Sequence, residues 1–161
     1  MMQETKLEIT FARLSDVPRD EIFSHMSDPR VAEHMPLITS LWDKQAVSDF
    51  VAAKEACWER DGLGHWAFLL DGSYIGWGGF QKEGDEWDLG VVLRSEKFGF
   101  GPCIVKKILG FAKADERIPF VTFLLPPSRK NLRGLERLGA SFVKAVDYAG
   151  HEFLKYRLET V

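Results

Sequence analysis

Residues 65–80 read HWAFLLDGSYIGWGGF, two apolar segments on either side of Asp71-Gly72. An Asp-Gly pair between such segments predicts a β-hairpin closed by a type I′ turn. After the turn residues KEGDE, the segment WDLGVVL at residues 87–93 predicts a third strand. Its interior Gly90 indicates either a β-bulge or a close approach of two backbones. These three strands are the clearest signal in the chain, and the other elements are placed relative to them.

The residues before the hairpin predict one strand and two helices. The segment LEITFAR at residues 7–13 alternates as a strand does. Ser15-Asp16 offers an N-cap for a first helix that runs to about residue 26. Residues 27–41 contain two prolines and indicate a broken helix or a loop. Asp43 caps a longer helix, which glycines end after about residue 60.

The residues after the three strands predict two helices and three more strands. The segment IVKKILGFAKA at residues 104–114 has a helical apolar face, and PFVTFLL at residues 119–125 is a continuous apolar strand. Ser128 caps a helix to Leu138, and the segments SFVKAV and EFLKYRLE predict the last two strands. The element order βααβββαβαββ is that of an α+β domain with a mixed sheet and helices on both faces.

Length and composition narrow the class of protein. The 161 residues suit one domain, which we expect to span residues 1–161. No apolar run approaches the roughly 20 residues of a membrane helix, and the first ten residues, MMQETKLEIT, lack the apolar segment of a secretory signal. Cys57 and Cys103 are typical of cytosolic thiols, and the four histidines show no metal-ligand spacing. We therefore expect a cytoplasmic protein without a bound metal.

The charge is unevenly distributed along the sequence. The net charge of −3 argues against general nucleic-acid binding. Residues 1–93 carry 8 Lys/Arg and 17 Asp/Glu, a net −9, whereas residues 94–161 carry 13 and 7, a net +6. If the two halves are mixed in the fold, their opposite charges average out over the surface. If they are not, the second half is suited to binding a polyanion and the first half to binding a cation.

A candidate anion site lies in the second half. The loop Phe98-Gly99-Phe100-Gly101 opens a helix, whose first N–H groups have no intrahelical partner and whose dipole end is positive. Ordinary loop glycines are the alternative, because neither a Walker loop nor a Rossmann fingerprint is present. Arg129, Arg133 and Arg137 stand at i, i+4 and i+8 on the next helix. They form a solvated face or, with the glycine loop, suit a ligand carrying several phosphates.

Together these segments resemble the GNAT superfamily of N-acetyltransferases, and are most similar to its ribosomal-protein N-terminal acetyltransferase-like branch. The resemblance spans nearly the whole sequence. It rests on WAFLLDGSYIGWGGF, WDLGVVL, LRSEKFGFG, IVKKILGFA, SDPRVAEHMP and SRKNLRGLERLGA. It implies a mostly antiparallel central sheet of about seven strands, and the transfer of an acetyl group from acetyl-CoA to an amine.

The resemblance also implies where acetyl-CoA binds. The family's pyrophosphate loop, R/Q-x-x-G-x-G/A, falls on residues 96–101. Backbone amides over residues 98–103 would then hold the pyrophosphate; these residues are Phe98, Gly99, Phe100, Gly101, Pro102 and Cys103. The backbone of Val91, Val92 and Leu93 would pair with the pantetheine arm, where this strand separates from the strand at residues 121–125.

The helix after the apolar strand would complete the acetyl-CoA site. Ser128 takes the place of a family Asn, and Asn131 that of a family Ser near the thiol. Arg129 and Arg133 would lie toward the phosphates.

Three residues depart from the family pattern. Glu96 stands where the family has a cation or Gln; Lys97 offers a compensating charge, and an alignment shifted by two residues is the alternative. Pro102 removes one N–H from the anion loop, although proline suits the first turn of a helix. Leu135 stands where many relatives carry a tyrosine proposed as the general acid.

Acetyl transfer to an amine needs a group that takes a proton from the acceptor ammonium. Asp88 and Glu86 are two residues apart on the third strand, so both point to the same face, at or near the position of an acidic residue in relatives. We expect Asp88 to be the base, directly or through water, with Glu86 and Asn131 as further catalytic candidates; a structural carboxylate is the alternative. His65 is another candidate base, but packing is its commoner role. Cys103 is expected to be a core thiol rather than an acyl carrier.

These features favour an N-acetyltransferase that acts by direct attack of a primary amine on acetyl-CoA. The acceptor is a protein N-terminus, a small polyamine or amino acid, or an aminoglycoside-like compound. The protein would act as a monomer or homodimer, with neither nucleic acid nor membrane as partner. One alternative is a non-catalytic acyl-CoA-binding or regulatory module with the same fold. Another is a different nucleotide-binding protein, which the missing magnesium-binding signature disfavours.

Overall fold

The computed structural model describes residues 7–33, 35, 42–127 and 133–160. Within them, seven strands form one sheet in the order β1-β2-β3-β4-β5-β7-β6. The strands are β1 (Ile9–Arg13), β2 (His65–Leu70), β3 (Ser73–Glu83), β4 (Glu86–Leu93), β5 (Phe120–Leu125), β6 (Ser141–Tyr148) and β7 (His151–Glu159). All neighbouring strands are antiparallel except the parallel pair β4 and β5. The predicted mixed, mostly antiparallel sheet is confirmed.

Five α-helices accompany these strands in the described residues. They are α1 (Arg19–Met26), α2 (Pro29–Ala32), α3 (Lys44–Asp61), α4 (Gly101–Lys113) and α5 (Arg133–Leu138). Two 3₁₀ segments, Leu14–Asp16 and Ser95–Phe100, precede α1 and α4. The predicted order of helices and strands is confirmed. The short helix α2 lies within residues 27–41, which were expected to form a broken helix or a loop. None of these helices is long and apolar enough to cross a membrane.

The hairpin signal is confirmed in detail. Asp71 and Gly72 have φ values of 49° and 85°, the two left-handed conformations that a type I′ turn requires. The β6–β7 hairpin closes in the same way through Ala149 and Gly150, with φ values of 52° and 82°. There the Asp147 carboxylate accepts a hydrogen bond from the Gly150 N–H at 3.1 Å.

Helices cover both faces of the sheet, as expected. Ala67 and Phe68 are adjacent in β2, so their side chains point to opposite faces, and each belongs to a different buried apolar cluster. The Phe68 cluster contains Ile104 and Ile108 of α4. The Ala67 cluster instead contains residues of α1 and α3, such as Ile22.

Two local predictions are wrong. The first helix begins at Arg19 after Pro18, because residues 14–16 form a 3₁₀ turn instead. The expected bulge at Gly90 is absent, because the β3–β4 register runs without a shift. The alternative, a close approach of two backbones, does not explain Gly90 either, because a Cβ added at Gly90 would meet nothing within 4 Å. The close approach instead restricts Gly78 on the neighbouring strand, where a Cβ would lie 2.2 Å from the Gly90 carbonyl oxygen.

Candidate active site

Strands β4 and β5 separate at the centre of the sheet. In the described residues, β4 pairs with β5 only at Asp88 and Thr122, whereas β4 pairs with β3 along its whole length, up to Leu93. The edge of β4 facing β5 therefore lacks a strand partner at Val91, Val92 and Leu93. Leu93 is buried in the apolar cluster with α4, and Val92 packs against the other cluster. A ligand in this gap would therefore meet mainly the backbone of β4.

The N-terminus of α4 lies directly after this strand. The helix is 13 residues long, with Gly101 at its first position and Pro102 at its second. Because Pro102 has no N–H, its position in the first turn leaves one fewer unpaired donor. The Gly101 N–H is also occupied, because it donates to the Phe98 carbonyl oxygen. The amides of the next first-turn residues lie at the positive end of the helix dipole, where an anion is stabilised.

Two glycines leave this helix start open. A Cβ added at Gly99 would meet nothing within 4 Å, and one at Gly101 would meet only a Leu93 methyl carbon at 3.9 Å. Gly101 has ordinary helical angles, φ −51° and ψ −53°. Neither packing nor backbone conformation thus requires glycine at these positions. Their bare backbone fits close approach of a phosphate group, so this segment is compatible with the pyrophosphate of acetyl-CoA.

The segment before α4 is fixed to the first helices. The Ser95 hydroxyl donates to the Asp28 carboxylate at 2.6 Å, and Asp28 itself caps α2. The Arg94 guanidinium donates to the carbonyl oxygens of Glu21, at 3.1 Å, and Tyr74, at 3.3 Å. Arg94 therefore joins α1 to β3. In the alternative alignment, shifted by two residues, Arg94 would be the cation that contacts the phosphates, but its guanidinium is already engaged in these hydrogen bonds.

Other candidate cofactor residues are only partly described. Ser128, Arg129 and Asn131 lie outside the described residues. Arg133 is exposed on α5. The expectation that Cys103 packs in the core is wrong, because its side chain is exposed at the start of α4.

On the side of the sheet facing α1 and α3, a cavity of about 180 Å³ opens beside the separating strands. Its walls come from β3, β4, β5 and the β6–β7 hairpin. They are lined by Glu83, Glu86, Asp88, Thr122, Leu124, Val146, Asp147, Tyr148 and Lys155. Four carboxyl groups and a single ammonium line it, so the cavity favours a cationic guest. Asp88 and Glu86 share it, which confirms that they point to the same face.

Asp88 is the perturbed acid of this cavity. Burial raises the pKa of Asp88 to about 7, although the hydrogen bond that the Thr122 hydroxyl donates at 3.1 Å works in the opposite direction. Glu86 instead forms a 2.7 Å ion pair with Lys155. A carboxyl group with a pKa near neutrality suits a proton acceptor at physiological pH, and Asp88 is therefore better placed than Glu86 for this role.

The raised pKa of Asp88 makes a prediction about stability. An acid whose pKa is higher in the folded state than in the unfolded state stabilises the fold only while it is protonated. For Asp88 this stabilisation is complete below the unfolded pKa of 3.8 and is lost as the pH rises through the folded pKa of about 7. Asp88→Asn removes this ionisation while keeping an oxygen that can accept from Thr122. Urea unfolding should therefore show the variant to be more stable than the parent at pH 8, by up to about 4 kcal/mol. The gain should nearly disappear at pH 4; an equal gain at both values would contradict a raised pKa.

The alternative base His65 is buried and packed. Burial lowers the pKa of His65 well below its usual range, and its ring lies 5.3 Å from that of Trp77. It does not line the cavity beside Asp88. In the described residues no set of three His, Cys, Asp or Glu side chains is arranged to hold a metal.

Sequence reasoning did not find the partners of Asp88. Thr122, Lys155 and Tyr148 come from three different strands that only the folded sheet brings together. Thr122 alone had a usable signal, because it is the one hydroxyl in the apolar strand PFVTFLL.

Comparison with known proteins identifies the family. The model of a family described as "Acetyltransferase (GNAT) domain" matches residues 7–141, and the chain therefore belongs to the GNAT acetyltransferase family. Proteins of this family take acetyl groups from acetyl-CoA. No curated protein sequence matches the chain significantly.

Solved structures share the whole fold at low sequence identity. An acetyltransferase from Agrobacterium tumefaciens is 19% identical, with a TM-score of 0.75 over 99% of this chain and 97% of that one. A ribosomal-protein-alanine N-acetyltransferase from Brucella melitensis is 14% identical, with a TM-score of 0.70 over 94% and 99%. An aminoglycoside acetyltransferase in complex with coenzyme A is 13% identical, with a TM-score of 0.70 over 96% and 95%.

Proposed function

We propose that this chain is a single-domain N-acetyltransferase, spanning residues 1–161, that moves an acetyl group from acetyl-CoA to a primary amine. The observation that carries the proposal is the position of Asp88. This half-buried carboxyl group, with a pKa of about 7, lies where β4 and β5 separate and lines an acidic cavity. A base and an acceptor site thus adjoin the gap assigned to the thioester arm.

The proposed acetyl-CoA site runs from α4 to β4. Amides between Phe98 and Cys103 would hold the pyrophosphate, with no contribution from the nitrogen of Pro102 or from the Gly101 N–H, which donates to the Phe98 carbonyl oxygen. The unpaired backbone edge at residues 91–93 would receive the pantetheine arm. Ser128, Arg129, Asn131 and Arg133 remain part of the proposed site through the family resemblance.

The reaction needs few groups from the protein. Acetyl-CoA supplies the thioester, and the acidic cavity draws in the acceptor as an ammonium ion. Asp88, in its carboxylate form, takes a proton from this ammonium directly or through water. The freed nitrogen forms a bond to the acetyl carbon as the carbon–sulfur bond breaks, and the CoA thiolate leaves. The nitrogen then gives its second proton to the thiolate, directly or through water, which yields the amide and the CoA thiol. Leu135 packs against the apolar core, so its position offers no hydroxyl to protonate the sulfur.

The cavity favours a cationic acceptor. Its lining carries four carboxyl groups and one ammonium group, which suits binding of either a protein N-terminus or a small cationic amine. We propose a cytoplasmic location, in keeping with the free thiols of Cys57 and Cys103.

A second candidate is an acyl-CoA-binding module that does not catalyse transfer. Two features favour it: Glu96 is exposed beside the proposed phosphate site, and Leu135 replaces the family's tyrosine. Both candidates bind acetyl-CoA, but only the enzyme consumes it when an amine is present.

Binding of acetyl-CoA gives the first functional prediction. Acetyl-CoA or CoA at 100 times its dissociation constant should stabilise the folded protein by about 2.7 kcal/mol, because the ligand binds only the folded state. ATP and NAD serve as matched controls that carry phosphates without the pantetheine arm, and they should leave the melting temperature nearly unchanged. A thermal-shift titration with no response to millimolar acetyl-CoA or CoA would reject the cofactor assignment.

A further inference from the structure

A lysine from α3 reaches the sheet close to the candidate base. The Lys54 ammonium nitrogen lies 4.8 Å from the Trp77 ring centroid and 5.6 Å from that of Phe50. The ammonium donates a hydrogen bond to the Gln81 side-chain oxygen at 3.4 Å. The side chain is thus held against the sheet face that carries Asp88.

Two contacts lead from Lys54 to the acidic cavity. Gln81 is the register partner of Asp88 across β3 and β4, and side chains of directly opposed residues lie on the same face, about 5 Å apart at Cβ. The Gln81 amide nitrogen also donates to the Glu83 carboxylate at 3.0 Å, and Glu83 lines the cavity. Lys54 itself does not line the cavity, so it acts on the acceptor site through its neighbours and its charge.

The ionisation of Lys54 responds to the carboxylates of this cavity. Burial lowers the pKa of Lys54 to about 8, while Cys57 and the carboxylates of Asp88 and Glu83 work in the opposite direction. Lys54 is therefore mostly charged at pH 7. The charged or titratable groups facing Asp88 come from all the packed elements. Glu83 on β3, Glu86 on β4, Asp147 on β6 and Lys155 on β7 line its cavity, and Lys54 on α3 lies behind them. The buried His65 on β2 is coupled to Lys54 rather than to Asp88.

We propose that Lys54 is a positioning residue of the acceptor site, whose ammonium orients Gln81 and Glu83 and provides a fixed positive charge behind Asp88 that favours its carboxylate form. Glu83 and Glu86 disfavour that form, whereas Lys155, although paired with Glu86, favours it. Lys54 adds a positive charge from the α3 side. The catalytic meaning of this inference rests on the proposed function, but the charge coupling between Lys54 and Asp88 does not.

The coupling is tested without any assay of activity. The Asp88 carboxyl carbon is followed by ¹³C NMR as the pH is varied, with Asp88→Asn used to assign its signal. Lys54→Met keeps most of the side-chain volume and should raise the Asp88 midpoint by about 0.5 pH unit or more, roughly a threefold change in its ionisation constant. Lys54→Arg should keep the parental midpoint. Lys113→Met, which removes an exposed lysine from the end of α4, serves as the matched control.

If the Lys54 variants do not fold, the coupling is measured in the other direction, from the midpoint of Lys54 in Asp88→Asn. Because coupling between two sites is mutual, Asp88→Asn should lower the Lys54 midpoint by a similar amount. Unchanged midpoints, or an effect of Lys54→Arg equal to that of Lys54→Met, would overturn the proposal. If acetyl transfer occurs, the acid limb of the kcat/KM profile should shift with the Asp88 midpoint. Coupled midpoints in a protein that acetylates no amine would leave the Lys54 inference standing and reject the proposed function alone.

Discussion

Asp88→Asn is expected to lower kcat at pH 7 by about 10²- to 10⁴-fold, the usual contribution of a general base. An alkyl ammonium with a pKa of about 10.4, or an α-ammonium with one near 8, must lose a proton before it attacks. Asparagine keeps the shape and accepts from Thr122, but it cannot take that proton. Steady-state rates of CoA release, measured with saturating acetyl-CoA, give the comparison. The affinity for acetyl-CoA should stay within a few-fold of the parental value.

The pH dependence separates a base from a structural carboxylate. Parental activity should rise as Asp88 ionises around pH 7, whereas the variant should follow only deprotonation of the free amine. The deficit should therefore shrink as the pH rises. Glu86→Gln is the matched control; it removes a neighbouring carboxylate that is already tied to Lys155 and should have a smaller effect. Near-parental kcat in folded Asp88→Asn at neutral pH would remove Asp88 from the mechanism.

Gly101→Val is expected to raise the dissociation constant for CoA by tenfold or more, a loss of at least about 1.4 kcal/mol of binding free energy. A Cβ at this position has only the Leu93 methyl carbon within 4 Å, so added methyl groups would project into the space assigned to the phosphates. The same open space means that folding should tolerate the side chain. Isothermal titration calorimetry gives the affinity, and thermal unfolding gives the stability.

Gly110→Val is the control for this experiment. Gly110 lies in the same helix, and a Cβ there also meets nothing within 4 Å. Valine forms helix slightly better than glycine, so neither variant should lose stability through helix propensity. If the two variants bind CoA equally well, the glycines at the start of α4 serve only as a connection.

The fold was predictable where local chemistry decides the structure. Asp71-Gly72 specifies a type I′ turn by conformational preference alone, and Asp43 caps α3 by accepting a hydrogen bond from the Ala46 N–H at 2.7 Å. The start of α1 was missed, because the carboxylate of Glu55 on α3 contacts the Ser15 N–H at 3.4 Å. That bond joins residues 40 positions apart, and no local pattern encodes it.

Gly90 in β4 shows that a glycine in a strand does not by itself reveal which structural feature it serves. Gly90 indicated an irregular backbone, but the sequence could not say whether a bulge or a close approach produces it. The structure shows neither at Gly90, where a Cβ would meet nothing within 4 Å; the close contact restricts Gly78, whose Cβ would meet the Gly90 carbonyl oxygen. Such a contact depends on register, which the sequence of one strand does not contain.

The candidate site was predictable only within one strand. Alternation along β4 placed Asp88 and Glu86 on the same face. The raised pKa of Asp88, the Glu86–Lys155 pair and the contact of Lys54 with Gln81 depend on five elements, α3, β3, β4, β5 and β7, that meet only in the folded protein. Burial, which is the first cause of the raised pKa, is a property of that packing rather than of sequence spacing.

Acetyl transfer to an amine is most directly tested by measuring both products of one reaction. The protein is incubated with acetyl-CoA and each member of an amine panel that includes peptides with free N-termini, polyamines and aminoglycosides. Released CoA thiol is then quantified alongside the N-acetylated amine by mass spectrometry. We expect equal amounts of thiol and N-acetyl product for at least one cationic amine, and strongly reduced amounts with Asp88→Asn. Thiol release without an acetylated amine, or no turnover with any amine although acetyl-CoA binds, would contradict the account.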